Sequence, residues 1–182
     1  MTELRQKLDN GQYNSGADKV AIVDYLAVAM EAAGYKVVEL NDQKPWGAYI
    51  RFDGNKADAF VADFFTGLTP EEARLGIKGA ELSPKLLIVA PGQRLSWQYH
   101  DRRAERWLFV TDGVYHQSTT DEQGVINRAT AGDVVQFARG ERHRLAGLED
   151  GYVVVAEIWQ HTDPVTPSDE EDIVRLADDY SR

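Results

Sequence analysis

The sequence predicts a mainly β domain, an antiparallel sandwich or barrel that carries a helical extension at its N-terminus. Three observations predict it. From about residue 84 onward, short apolar runs recur at close spacing, each ended by Gly, Asp or Pro. Ahead of them lies a stretch of helical periodicity. The length of 182 residues and the 43% hydrophobic content suit one domain with a substantial core, and no internal repeat or domain-sized linker interrupts it.

The first element is "ADKVAIVDYLAVAMEAAG". Val20, Val23, Ala27 and Met30 follow three-to-four spacing, Ile22, Leu26 and Ala33 widen the stripe, and Gly34 stops it, so an amphipathic helix is expected over 18–33. "YKVVEL" reads as a short strand, and the turn "KPWG" leads into another, "AYIRF". The 58–66 region, within "ADAFVADFF", is apolar enough for a strand, with a helix as the alternative. In "LTPEEARLG", Thr69 as cap, Pro70 at the first position and Glu72 three residues on predict a short helix with a capping box. Eight strands follow: "KLLIVAP", "RLSWQYH", "ERWLFVTDG", "VYHQSTTD", "GVINRATAGD", "VVQFARG", "HRLAG" and "YVVVAEIWQ". The acidic tail "DEEDIVRLADDY" reads either as a short helix with a solvated face or as a segment closing over a site.

Composition excludes several functions. The formal charge of −10 gives no basic field for nucleic acid, although a local basic pocket for one small anion is compatible with it. With no cysteine, disulfides and thiolate metal sites are impossible. No apolar run approaches the ~20 residues that span a bilayer, and the N-terminus lacks an apolar signal core, so a cytoplasmic protein with no membrane partner is expected.

Chemistry concentrates in "QYHDRRAERW". On a strand, Gln98 and His100 face one side while Trp97 and Tyr99 face the other. The turn "DRRA" lets Glu105 begin the next strand, where an antiparallel neighbour brings its carboxylate beside that pair. The best candidate for a fourth donor is His143, in "GERHRL". Three or four N and O donors from different strands suit one divalent ion, zinc first, with manganese, cobalt, nickel and iron as alternatives, better than calcium or magnesium. The competing reading of any such His is a half-buried strand residue, and His116 and His161 are read that way.

The wider frame resembles the cupin superfamily. Gly92 lies six positions before Gln98, Glu105 five after His100, and Gly113 closes the first motif; Gly132, Gly140 and His143 outline the second. Gln98 stands where that superfamily usually has a first His, and "ARG" at 138–140 replaces its Pro-x-Gly. The resemblance implies a cupin jelly roll over residues 44–182, with 1–43 as a helix-and-strand extension. It also implies metal ligands Gln98, His100, Glu105 and His143 inside the barrel, and it makes a homodimer an expectation.

Within that superfamily, "KPWG", "APGQRLSWQYHDRRAERW", "GERHRL" and "EEDIVRLADDYSR" are similar to the cupin domain of type II mannose-6-phosphate isomerases, over about residues 44–52 and 84–182. In that family a Gln is expected at the position of Gln98. Asp101, Arg102, Arg106 and Ser181 depart from the family pattern, as does an insertion between "EIWQ" and "EEDIVR", and these changes bear on which sugar is used. The resemblance implies a metal-dependent aldose–ketose isomerase acting on a sugar or sugar phosphate. Arg103 would stabilise the anionic intermediate, Lys85 would relay a proton or contact an oxygen, and Arg144 and Arg175 would hold substrate or pin the C-terminal segment. Arg102 and Arg106 are candidates for a phosphate because guanidinium suits bidentate phosphate contact. The competing reading of each arginine is an ion pair with one of the 30 acids. Two other functions compete with the isomerase: a non-catalytic sugar-binding cupin and a metal-dependent cupin oxygenase. The proton-abstracting base is not identifiable from the sequence.

Overall fold

Two antiparallel sheets face each other in a computed structural model that describes residues 2–9 and 11–180. Ser181 therefore lies outside the described residues. In chain order the helices and strands are α1 (Glu3–Asp9), α2 (Lys19–Ala32), β1 (Val37–Lys44), β2 (Gly47–Phe52), α3 (Ala57–Phe64), α4 (Pro70–Ala73), β3 (Leu82–Val89), β4 (Trp97–Tyr99), β5 (Arg103–Phe109), β6 (Gly113–Ser118), β7 (Ile126–Ala129), β8 (Val134–Phe137), β9 (Arg142–Ala146), β10 (Val153–His161) and β11 (Val174–Ala177). One sheet runs β1-β2-β3-β10-β5-β8 and the other β11-β4-β9-β6-β7. This is the expected cupin jelly roll with N-terminal helices.

Helix α2 forms where its spacing predicts. Asp18 caps it by accepting from Ala21 N (2.9 Å). Its end is a Schellman turn: Tyr35 N donates to Met30 O, Gly34 N donates to Glu31 O, and Gly34 has φ +88°. Ile22, Val23, Leu26, Ala29 and Met30 are buried, whereas Val20 in the first turn is 48% exposed. The 58–66 region resolves to helix, not strand. Ala57, Phe60, Val61 and Phe64 are buried and Asp58 and Ala59 are exposed, which is a period near 3.6 rather than 2. The capping box at Thr69 and Glu72 forms as read. At "KPWG" the chain turns so tightly that a Cβ on Gly47 would lie 1.9 Å from Ile88 O, so only glycine fits.

The larger sheet is covered on both faces, which explains its long apolar strands. Leu86, Ile88, Val154, Ala156 and Ile158 face a core shared with the helices, while Leu87, Val89, Val153 and Val155 face the barrel interior. Lys85 and Glu157, directly opposite each other in the β3–β10 register, follow the interior phase of that alternation. The C-terminal segment forms a strand, not a helix. Val174, Arg175 and Ala177 pair with β4, so β11 closes the edge of the smaller sheet beside the barrel mouth.

Candidate metal centre and its cavity

Three strands bring three donors together. His100 follows β4, Glu105 lies on β5 and His143 on β9, and their ligand atoms all lie within 4.8 Å of one another. His100 Nε2 is 3.0 Å from Glu105 Oε1, and His143 Nε2 is 3.2 Å from Glu105 Oε2. All three side chains are buried. Gln98 sits opposite His143 in the β4–β9 register and lines the adjoining cavity, with Ser96 Oγ donating to its Oε1.

Backbone carbonyls fix both imidazoles. His100 Nδ1–H donates to Asp172 O and His143 Nδ1–H to Glu141 O (3.0 Å), which leaves both Nε2 lone pairs directed at Glu105. Burial lowers the His100 pKa further than Glu105 raises it, so the ring is neutral. Burial pushes the Glu105 carboxyl up, but the cationic surroundings, with the Arg103 guanidinium 2.8 Å away, more than offset this and hold it well below the usual range. His143 Nε2 consequently faces a carboxylate oxygen, acceptor to acceptor, and is buried with no hydrogen-bond partner. A buried lone pair opposed by another is costly unless a cation lies between them. Residues 100, 105 and 143 thus fit a metal ion, with the two imidazoles and one carboxylate as its donors.

Arg103 closes the other side of the cluster. Its Nε donates to Glu105 Oε1 (2.8 Å) and its Nη2 to His100 Nε2 (3.1 Å), while the guanidinium lies 3.6 Å from the Trp159 ring centroid. The cation site therefore has one lone-pair pair free of donors and one already contacted by a guanidinium.

A cavity of about 90 Å³ adjoins the cluster, and Lys85, Gln98, Arg103, Glu105 and Arg175 all line it. The other arginines lie elsewhere. Arg106, next to Glu105 on β5, faces the helical side, where its Nη2 donates to Gln136 Oε1. Arg102 donates to Pro167 O (3.0 Å) and pairs with Asp169 (2.9 Å). Arg144 donates to Ala177 O (3.0 Å), which pins the C-terminal strand.

Glu157 was not singled out in the sequence. It lines the same cavity, with Trp107 Nε1 donating to Oε1 (2.9 Å) and Trp159 Nε1 donating to Oε2 (3.0 Å). Burial, then the negative charge of Glu105, raise its pKa to about 8 against the pull of Lys85 and Arg103. A signal was available: Glu157 is the only charged residue in "YVVVAEIWQ", an otherwise apolar strand. The tail contributes as well. The Asp172 carboxylate accepts from Asp101 N (2.9 Å), Arg102 N (3.0 Å) and Ser168 Oγ (2.6 Å), which locks the tail onto the turn after His100.

No model of a protein family matches the chain, and no curated protein does. Among solved structures it is similar to the capsular polysaccharide assembling protein CapF from Staphylococcus aureus. The TM-score is 0.51 at 19% identity, over 86% of this chain and 35% of CapF. In a second crystal form of CapF the TM-score is 0.51 at 17% identity, over 95% of this chain and 44% of that one. A point mutant of Bacillus subtilis oxalate decarboxylase OxdC is similar with a TM-score of 0.51 at 16% identity, over 75% of this chain and 30% of OxdC. The chain spans less than half the length of each of these proteins. At these identities the likeness is one of fold, and the fold is the cupin jelly roll. Among the described residues, no helix is long and apolar enough to cross a membrane.

Proposed function

We propose that the protein is a metal-dependent aldose–ketose isomerase acting on a sugar phosphate. The observation that carries this reading is the buried His100–Glu105–His143 cluster, with its unpartnered Nε2, opening beside a cavity that also holds Lys85, Arg103 and Glu157. Similarity to CapF, a capsular polysaccharide assembling protein by its name, is compatible with a carbohydrate ligand.

In such an exchange a carbon-bound proton leaves the carbon next to the carbonyl and is returned to the former carbonyl carbon. A hydroxyl proton moves the same way, from the oxygen of that carbon to the former carbonyl oxygen, and no external oxidant or reductant is needed. His100 Nε2, Glu105 and His143 Nε2, with Gln98 as the neutral fourth donor, would hold a divalent ion, whose chemistry is to polarise the carbonyl and acidify the adjacent C–H. Glu157 is the group proposed to carry the proton, because both its oxygens are steadied by indole N–H groups on the cavity wall and neither is spent in an ion pair with arginine. Arg103 offers N–H groups to developing negative charge on the sugar oxygens. Lys85 Nζ, 3.5 Å from the Trp159 ring centroid and beside Glu157 on the same sheet, contacts a substrate oxygen.

The test is to load the protein with zinc, manganese or cobalt and to incubate it with a panel of aldoses and aldose phosphates while following ketose formation. Ketose from at least one substrate, lost on chelation and restored by metal, is the expected result. A protein that holds metal and turns over no member of the panel defeats the proposal.

A further inference from the structure

The two arginines read from the sequence as phosphate contacts are engaged elsewhere, Arg102 with the tail and Arg106 on the helical face. Besides Arg103, three cations border the cavity. Lys85 is the buried one, with only 4% of its side chain exposed, and its Nζ pairs with Glu170 Oε1 at 2.5 Å. Lys44 and Arg175 line the same cavity and, among the described residues, form no side-chain hydrogen bond or ion pair. Lys44 Nζ and Lys85 Nζ lie 5.6 Å and 5.3 Å from the centroid of one ring, that of Tyr49, and both residues line the cavity beside it.

Glu170 is the odd member of this group. It comes from the tail, its side chain is 51% exposed, and its carboxylate reaches in to meet a lysine that is otherwise buried. Of the three cations, its carboxylate pairs with Lys85 alone. Glu170 thus occupies the part of the cavity that borders Lys85.

We infer that Lys44, Lys85 and Arg175 form the seat of a phosphate monoester and that the Glu170 carboxylate fills this seat as an intramolecular stand-in until the phosphate displaces it. The assignment of the phosphate to a sugar rests on the isomerase reading; the anion seat itself does not. A dianion satisfies the three cations better than one carboxylate does, and its entry frees Glu170 to return to water. Because Glu170 competes for the seat, the apparent phosphate affinity is the intrinsic one reduced by the fraction of time the seat is open.

Titration calorimetry with inorganic phosphate tests this on the metal-loaded and on the chelator-treated protein. Glu170→Gln is exposed and leaves the core untouched; it is expected to tighten phosphate binding about tenfold, in both metal states. Lys85→Met is expected to weaken binding at least about tenfold. Should that buried substitution fail to fold, Arg175→Gln at the exposed strand is expected to weaken it several-fold with unchanged metal content. Phosphate affinity unaltered by Glu170→Gln, or binding seen only with metal and indifferent to these variants, overturns the inference. Phosphate binding that follows the variants without turnover of any aldose phosphate would sink the isomerase and leave the seat standing. Turnover of free aldoses with no phosphate binding would do the reverse.

Discussion

Replacing Asp172 by Asn tests whether the tail helps to build the metal centre. The carboxylate accepts from Asp101 N (2.9 Å), Arg102 N (3.0 Å) and Ser168 Oγ (2.6 Å), and Asn has only one oxygen to offer. At least one backbone N–H then loses its acceptor and meets an amide NH2 instead. An unsatisfied buried donor costs about 1–3 kcal/mol. At about 2 kcal/mol, a chain of this length loses roughly 4–8 °C in Tm. The larger consequence is functional. The same residue's carbonyl accepts from His100 Nδ1 and from Arg103 Nη1, so a shifted turn releases the His100 ring from the orientation that points Nε2 at Glu105. Partners that orient a metal-bound His are worth about 10–100-fold in affinity. Competition titration of the metal against a chelator reads that loss, and thermal unfolding of the metal-free protein reads the structural part separately. Asp172→Glu, which keeps both acceptor oxygens, should recover part of the affinity. If Asp172→Asn lowers Tm by this amount but leaves metal affinity within twofold of wild type, the tail is a structural strap only and the reasoning fails.

Glu157→Gln should lower kcat by about 10²–10⁴-fold if this carboxylate carries the proton. In the metal-free protein it should also change the pH dependence of stability. A carboxyl raised to about 8 makes the native state lose stability as pH rises from the unfolded value of 4.5 toward 8, and urea midpoints at pH 5 and pH 8 should show that slope in the wild type and a shallower one in the variant. His161 reports on the tail. Its Nδ1 accepts from Ser168 N (2.8 Å) and its Nε2 meets Ser83 Oγ (2.8 Å), so only the neutral ring fits, and burial lowers its pKa. Stability conferred by the neutral ring is complete above the unfolded value of 6.5 and declines as pH falls below it toward the folded pKa. Faster hydrogen exchange at the Ser168 amide over that window checks this, and an unchanged rate refutes it. Thr69→Ala, which removes the capping box of α4, should cost about 1 kcal/mol by urea unfolding and leave metal affinity unchanged.

The strand-rich architecture was readable because each strand announces itself locally, through a short apolar run and a turn residue. Helix α3 was harder. Its eight residues contain few polar markers, and only the burial of Ala57, Phe60, Val61 and Phe64 distinguishes a helix period from a strand period. The tail was harder still, since pairing of β11 with β4 depends on a partner some 75 positions earlier and on an Asp172 side chain that bonds to the turn at 101–102. Glu157 was passed over because it sits in an apolar strand whose partner Lys85 lies 72 positions away, and only the register of β3 against β10 puts the two charges side by side in the cavity wall.

By itself, the order of residues determined which donor types this chain owns and on which strands they ride: a Gln-x-His pair, a Glu opening the next strand, and a His near the start of a third. Alternation along a strand is a local property, and it suffices to put Gln98 and His100 on one face. Only the tertiary structure decided which cations reach the cavity, because neighbouring residues such as Glu105 and Arg106 point to opposite faces of one sheet and the tail captures Arg102. It also decided that a carboxylate from the tail meets Lys85 and that a backbone carbonyl from the tail orients His100. Such convergence follows from strand register and chain closure over long separations, where no periodicity in the sequence carries the information.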